Sequence, residues 1–222
     1  IRKINYRFIS RFSQCWVPDF AGEKNIAGNL SHPSKMPAII TQYLGPLSRF
    51  QKDNDKQIIY KYLFVLSGPE PQRTILEEKI IKISNSLRGP VLIVRGKPGE
   101  NSSMQSTAGC IIKHHLTTNE MQDAFLQSEY IISRSGYTTV MELLSLGKKS
   151  VLIPTPGQTE QEYLAMRLMQ QQWCYCCKQD DDLLYHIQQA EKMKYIIPDF
   201  DLPGYEKVID NFLSNFYPGR KN

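Results

Sequence analysis

The sequence predicts an α/β fold built on a parallel sheet with helices on both faces. From Tyr60 onward, short apolar runs of strand length alternate with longer runs whose apolar residues recur at helical spacing. Successive strand–helix–strand units lay their strands side by side in parallel, and the connecting helices cover the sheet. A further observation points to where such a sheet would take a ligand. Three strand-to-helix turns carry glycine, "LSGPEPQRT", "SRSGYTT" and "PTPGQTEQE", so the backbone there can turn sharply or approach a ligand closely.

The elements follow in order. Residues 1–50 do not read as a complete domain. They offer two candidate strands, "QCWVPDF" and "AIITQYLG", separated by the loop "AGNLSHPSKMP", and two short strands cannot bury a core alone. The polar linker "QKDNDKQ" follows, then the strand "YKYLFVLS". "TILEEKIIKIS" is a helix, with Leu76, Ile80 and Ile83 at helical spacing and a Thr74-x-x-Glu77 capping box. "PVLIVRG" is nearly all apolar, as a strand covered on both faces should be. Lys97 to Thr107 is polar and Gly/Ser-rich, hence a long loop. "GCIIKH" then reads as a strand, "NEMQDAFLQ" as a helix and "EYIIS" as a strand. A helix from Thr138 to Leu146, the strand "SVLIP", a helix from Thr159 to Gln170, the strand "WCYCC" and the helix "DDLLYHIQQAEKM" complete the alternation. An amphipathic helix from Gly204 to Phe216 closes the chain. The pattern is Rossmann-like, but it lacks G-x-G-x-x-G, so fold grammar does not make it a dinucleotide site.

Composition excludes several classes. Of 222 residues, 41% are hydrophobic and 22% charged, ordinary for a globular protein with a core. A formal charge of +5 suits an anionic ligand or an acidic membrane surface. It lacks the dense Lys/Arg clustering of a nucleic-acid binder, so no nucleic-acid partner is expected. No apolar run approaches the ~18 residues of a membrane-spanning helix, and "IRKINYRFIS" has no signal-peptide apolar core. Five cysteines form no regular framework, which argues for reduced thiols and a cytoplasmic setting. The "CYCC" cluster has C-x-C-C spacing rather than the C-x-x-C of zinc sites, and reads as small apolar side chains in a strand. The chain starts at Ile1 without a methionine and reads as part of something longer.

In such sheets ligands sit at the carboxyl ends of the strands, against helix N-termini whose free N–H groups and partial positive charge suit phosphate. Three polar side chains are read into first helical turns there: Glu142, Gln161 and Glu162. Each carboxylate has two readings. Thr139-x-x-Glu142 and Thr159-x-x-Glu162 are capping boxes, which account for the glutamates without a ligand. Alternatively, Glu142 accepts hydrogen bonds from two vicinal hydroxyls, as on a ribose, and Gln161 with Glu162 meets sugar hydroxyls. Arg73 reads as a phosphate partner or as surface charge. His114 and His115 end a strand and read as a solvated pair, one of which could reach the cleft. His32 and His186 sit in no catalytic pattern. Asp180, Asp181 and Asp182 read as a helix cap, not a metal cluster.

The stretch "SRSGYTTVMELLSLGKKSVLIPTPGQTEQEY" resembles the C-terminal, nucleotide-sugar-binding lobe of family 28 glycosyltransferases, a family with members in cell-envelope synthesis. The resemblance is good from Asn119 to Arg167, and "YLGPLSRF" is similar to the family's interlobe segment. It implies the GT-B fold, two Rossmann-like lobes facing a cleft, of which this chain holds the C-terminal one. It implies that Glu142 binds the ribose hydroxyls of a uridine and that Gln161 reads the donor sugar. Glu162 stands where relatives carry a second Gln. Ser135 and Gly136 match the turn beside the diphosphate, and Arg49 matches an interlobe arginine near the phosphates. Ser67 and Gly68 stand where the family has a Gly-rich loop, from which "SGPEPQRT" departs. Thr117 and Thr118 fall near the backbone that contacts uracil.

The expected organisation is therefore the tail of an acceptor lobe and interlobe linker over 1–52, a nucleotide-sugar-binding domain over 57–200, and a C-terminal helix over 201–222 that packs back toward the N-terminal lobe. The implied activity is inverting transfer from a UDP-sugar to an acceptor hydroxyl. The sugar nucleotide is a substrate and no metal or other cofactor is expected. The catalytic base belongs to the acceptor lobe, supplied by the N-terminal half or by a partner subunit, so this chain alone would be incomplete. The implied location is the cytoplasm, with peripheral contact to the inner face of the membrane. A sugar-nucleotide epimerase and a non-catalytic donor-binding subunit remain as alternatives.

Overall fold

A computed structural model describes residues 2–53, 55–99, 109–200 and 205–216. The chain divides into two compact units, Ile1–Leu47 with Phe200–Asn222, and Ser48–Asp199.

The smaller unit begins with helix α1 (Arg2–Ile9), which the sequence reading did not include. Strands β1 (Gln14–Val17) and β2 (Ile40–Tyr43) pair in parallel, Gln14 opposite Ile40. Both are shorter than the apolar runs suggested. Strand β1 stops before Pro18, and the chain then folds around one carboxylate. Asp19 is 0% exposed. It accepts bonds from the N–H groups of Phe20 (2.8 Å), Ile26 (2.8 Å) and Ala27 (2.9 Å), and from the Ser31 hydroxyl. The backbone of the loop between the strands is thus satisfied by a side chain rather than by a sheet. Helix α7 (Tyr205–Phe216) belongs to this unit, where Phe212 meets Trp16 edge to face, centroids 5.2 Å apart.

The larger unit holds strands β3 (Tyr60–Val65), β4 (Val91–Val94), β5 (Cys110–Lys113), β6 (Ser128–Ser133), β7 (Lys149–Leu152) and β8 (Tyr175–Cys176). They form one sheet in the order β5-β4-β3-β6-β7-β8, every pair parallel. Helices α2 (Gln72–Ser84), α3 (Thr118–Leu126), α4 (Tyr137–Ser145) and α5 (Thr159–Gln170) lie between strands, and α6 (Leu183–Lys192) follows β8. Alternate side chains of each strand point to opposite faces. Tyr62, Phe64, Ile93 and Ile132 form one cluster with Leu76 and Ile80 of α2 and with Leu183 and Ile187 of α6. The intervening Leu63, Leu92, Ile131 and Leu152 are buried as well. Both faces are therefore covered, which is why stretches such as Leu63–Phe64, Val91–Val94 and Ile131–Ile132 are apolar on both sides.

The direction in which successive strands are added reverses once across this sheet. The first strand of the unit, β3, lies beside β6, with β4 and β5 built outward on one side and β7 and β8 on the other. The connections after β3 and after β6 therefore leave in opposite directions and open a crevice at their carboxyl ends. Gly96, just beyond β4, keeps that rim tight: φ is +68°, and a Cβ there would lie 2.3 Å from the Leu66 carbonyl oxygen. From Glu100 to Ala108 the Gly/Ser-rich loop lies outside the described residues, as does Gly204 of the final helix. Among the described residues no helix is long and apolar enough to cross a membrane.

Replacing Asp19 with alanine removes the acceptor of three backbone N–H groups, two of them in buried bonds. Leaving buried donors unmet costs about 1–3 kcal/mol each. The Ile26 and Ala27 amides should lose their protection in hydrogen exchange, while the amides of β3 and β6 keep theirs.

Candidate functional site

The rim of the crevice is made by the connections after β3, β6 and β7. A buried cation ties them together. Arg134 follows β6 directly, and its side chain continues on the face that Tyr130 and Ile132 share. It is 2% exposed. One terminal nitrogen donates to the carbonyls of Ile153 (3.2 Å) and Pro154 (3.1 Å), past the end of β7. The other donates to the Gln72 carbonyl (2.8 Å), at the start of α2, and to Gln179 Oε1 (2.5 Å), before α6. All of these acceptors are neutral. Burial pulls the Arg134 guanidinium down to about 10, which still leaves it charged at neutral pH. A buried charge with only neutral partners is a source of positive potential at the rim. Its Nε and the buried hydroxyl of Thr155 meet no hydrogen-bond partner among the described residues.

The helix starts around this cation are open. The N-cap residues of α2, α4 and α5 are Pro71, Gly136 and Gln158, and none makes a side-chain cap bond. In α2 the Glu70 carboxylate accepts from Thr74 N (3.2 Å) and partly fills the gap. The outer helices differ. Thr117 and Glu120 form a full capping box on α3, and the Asp182 side chain caps α6. The helices that follow β3, β6 and β7 are thus the ones that lack an N-cap side-chain bond.

Several expectations need correction. Thr139 lies inside α4, which starts at Tyr137, so Thr139-x-x-Glu142 is not a capping box. Glu142 is the sixth residue of the helix rather than part of its first turn. Thr74 likewise lies inside α2, and Thr159 is the first residue of α5, so neither caps. Asp182 does cap α6, accepting from Tyr185 N at 3.1 Å. Arg73 is neither surface charge nor a free phosphate partner. It is buried and held by Glu70, Glu77 and the Thr74 hydroxyl. Burial pushes the Glu77 carboxyl up, but bonds from Arg95 and Arg73 outweigh it and hold it below the ordinary carboxylate range. His114 Nδ1 lies 3.0 Å from an Arg95 terminal nitrogen, and His115 is exposed. Desolvation raises the thiols of Cys174, Cys176 and Cys177, that of Cys177 to about 12, so they are packing groups rather than nucleophiles.

The site residues named from sequence fall into three groups. Ser67, Gly68, Ser135 and Gly136 lie on the connections that flank the reversal. Gly68 has φ +102°, and a Cβ on it would stand 3.6 Å from the Thr155 hydroxyl, so the β3 and β7 connections meet here. The Ser135 hydroxyl donates to the Gln161 carbonyl (2.9 Å), joining the β6 and β7 connections. Gln161 braces its own loop: Oε1 accepts from Thr155 N (2.9 Å) and Nε2 donates to Gln158 Oε1 (2.5 Å). One amide hydrogen and one lone pair of Gln161 remain. Glu162 is exposed. The second group is Glu142 and Arg49. Glu142 is 3% exposed, and its Oε1 accepts from Arg49 Nε at 2.7 Å. The third, Thr117 and Thr118, stands at the start of α3 beyond the edge strand β5, with the Thr117 hydroxyl engaged in the capping box.

Sequence reasoning missed Arg134 and Thr155. The signal was present for the first: an arginine that directly follows a strand buried on both faces must find internal acceptors.

Comparisons with known proteins bear on the family and the fold. The family model of the glycosyltransferase family 28 C-terminal domain matches residues 63–193, more than half the chain. Two similar proteins carry the name UDP-N-acetylglucosamine--N-acetylmuramyl-(pentapeptide) pyrophosphoryl-undecaprenol N-acetylglucosamine transferase. The one from Desulforamulus reducens is 27% identical over 186 residues, 74% of this chain and 48% of that protein. The one from Methylobacterium radiotolerans is 26% identical over 159 residues, 67% of this chain and 40% of that protein. The chain thus spans less than half the length of these relatives. Among solved structures, the glycotransferase of kitacinnamycin superposes with a TM-score of 0.50 at 12% identity, over 68% of this chain and 39% of that one, a likeness of fold.

Replacing Arg134 with methionine keeps the stem and removes the donors to four acceptors. At about 1–3 kcal/mol for a buried group left unmet, the loss should exceed 2 kcal/mol in chemical denaturation. Lysine cannot reach both sets of carbonyls and should recover only part of it.

Proposed function

The chain belongs to glycosyltransferase family 28 through its C-terminal domain, and from that premise we propose that it is the donor-binding half of a transferase that uses a UDP-sugar. One observation carries the reading. At the carboxyl ends of β3 and β6, helix starts without N-cap side-chain bonds stand with the buried Arg134 and the Ser135–Gly136 turn. N–H groups and a fixed cation suit a diphosphate. Glu142 is the residue for the ribose, because a carboxylate accepts from two vicinal hydroxyls at once. The names of the relatives, which print a UDP-sugar, support the choice of nucleotide.

The reaction proposed is a single displacement with inversion. The acceptor oxygen forms a bond to the anomeric carbon as the bond to the diphosphate breaks, and the acceptor proton passes to a base. The leaving diphosphate gains negative charge, which the helix starts and Arg134 stabilise without reorganising. These groups supply positive charge where a metal ion would, so donor binding should not need one. Among the described residues no group of three His, Cys, Asp or Glu side chains is arranged for a metal. The base must come within about 3 Å of the acceptor hydroxyl, directly or through one water. In this reading an acceptor lobe outside these residues supplies it, and that lobe would also carry any contact with the membrane surface.

Replacing Glu142 with alanine should weaken UDP binding by roughly 1.5–3 kcal/mol, the worth of charge-assisted bonds. Stability should change less, since the partner left behind, Arg49, has a side chain 59% exposed. Calorimetry with UDP, with and without a chelator, measures both claims. Affinity that vanishes with chelator would sink the metal-free reading, and affinity unmoved by the substitution would sink the role of Glu142.

The chain alone should transfer no sugar and show at most slow donor hydrolysis. Incubation with labelled UDP-sugar and candidate lipid or sugar acceptors, repeated with an acceptor lobe of the family added, tests this. Robust transfer by the chain alone would overturn the half-enzyme reading.

A further inference from the structure

We propose that a cavity between the end of α2 and one face of α6 is a second ligand site, for a monosaccharide phosphate. It stands at the opposite end of the sheet from the crevice and is independent of the donor site.

Helices that return across a parallel sheet bring their last turns to the amino ends of the strands. There the turn after α2 faces Leu184, Gln188 and Glu191, which recur at helical spacing along α6, across a cavity of about 280 Å³. Tyr62 of β3, Leu87 and Leu184 give it an apolar floor. Apolar walls with a few polar groups are the common build of a small-molecule site.

The carboxylate of this site is anchored on one oxygen. Glu191 Oε1 accepts from the Tyr62 hydroxyl and pairs with the Lys61 ammonium at 2.5 Å. Oε2 accepts from no described residue. Burial pushes the Glu191 carboxyl up, but the bonds from Lys61 and Tyr62 outweigh it and hold it below the ordinary carboxylate range. Burial also pushes the Tyr62 hydroxyl up to about 12, so it remains a donor at neutral pH. Glu191 is thus an ionised acceptor whose charge Lys61 already balances. Ser86, Arg88, Gln188 and Lys192 complete the lining. Among the described residues these four side chains make no hydrogen bond or ion pair.

That set of groups selects a ligand class. With Lys61 engaged by Glu191, two cations without an acidic partner remain, Arg88 and Lys192. They suit a phosphate, and a guanidinium takes two of its oxygens at once. A bare anion would leave Oε2, Gln188 and Ser86 unmet and would sit beside a carboxylate. An amine gains little, because the Glu191 charge is already balanced. A ligand with hydroxyl donors at one end and a phosphate at the other meets every group, and the carbon face of a sugar ring can lie on the apolar floor. The volume falls at the lower end of small-ligand pockets, about 300–1,000 Å³, which suits a monosaccharide phosphate and not a nucleotide sugar.

The test follows amide chemical shifts of the isotope-labelled chain on titration with glucose 1-phosphate, glucose and inorganic phosphate. Glucose 1-phosphate should shift the amides of Ser86, Leu87, Arg88 and Leu184 to Lys192 and leave those of Ser135 and Gly136 in place. It should bind at least about tenfold tighter than either fragment, the worth of one charge-assisted bond. Arg88→Gln should weaken glucose 1-phosphate and phosphate alike by about tenfold. Gln188→Ala should weaken glucose 1-phosphate by about two- to tenfold, the worth of a neutral bond, and leave phosphate unchanged. Both side chains are exposed, so the unfolding temperature should not move. An absence of shifts at these segments in millimolar ligand overturns the inference. So does unchanged affinity in Arg88→Gln, or phosphate binding as tightly as glucose 1-phosphate. Shifts at Ser135 and Gly136 instead would assign the binding to the crevice, which overturns this inference and leaves the donor-site reading standing.

Discussion

A single guanidinium holds the carboxyl rim of the large sheet in shape. Arg134 donates to carbonyls past the end of β7, to the start of α2 and to the side chain of Gln179 before α6. Each of these points lies at a different strand-to-helix passage. Without a common donor each would have to meet its own buried carbonyl, and loops built that way carry unmet polar groups. Arginine is the side chain for this task, because its planar fork presents five N–H groups in fixed directions and keeps its charge when buried. The cost is a cation in the interior with neutral acceptors only. That cost leaves a positive potential at the rim.

The same rim shows a division among the helices. Those at the outer strands begin with side-chain caps, Thr117 with Glu120 and Asp182. Those after β3, β6 and β7 begin at proline, glycine and an uncapping glutamine. A helix start without a cap loses about 1 kcal/mol relative to one with serine or aspartate. At α2 the Glu70 carboxylate offsets part of that deficit by accepting from Thr74 N, whereas at α4 and α5 no N-cap side chain does.

Much of this could be read from residues alone, and the failures have physical causes. The inner strands of the large sheet were legible because two-sided burial demands an apolar run, as in Val91–Val94. Strand order was not, since pattern alone does not say where the chain reverses. Helix α1 was missed although Ile4 and Phe8 stand at helical spacing, and a tie from the Tyr6 hydroxyl to the Lys35 carbonyl (2.8 Å) is invisible in sequence. Capping was misread three times for one reason. The T-x-x-E pattern says that a cap is available, but where the helix begins is decided by how the chain leaves the preceding strand. The box that does form, Thr117 with Glu120, follows a strand whose end leaves the threonine outside the helix. Of the site, the glycine turns were visible, whereas the engagement of Gln161 with its own loop depends on side-chain direction.

Two of the misread boxes show how far residue pattern and chemistry can part. Glu77 and Glu142 each stand three residues after a threonine, each inside a helix, each almost fully buried and each paired with arginine. Sequence makes them equivalent. The structure separates them by acceptor atoms. Glu77 has both oxygens engaged, Oε2 by Arg73 at 2.7 Å and Oε1 by Arg95, and therefore serves to bind α2 to the end of β4. Glu142 has one oxygen engaged, by an arginine that enters from the segment leading into the unit rather than from the sheet. A carboxylate closed on both sides is part of the scaffold. One closed on a single side, held in place yet with acceptor capacity remaining, can take hydroxyls from outside. The number of engaged oxygens, rather than burial or motif, is what separates the two glutamates in this fold.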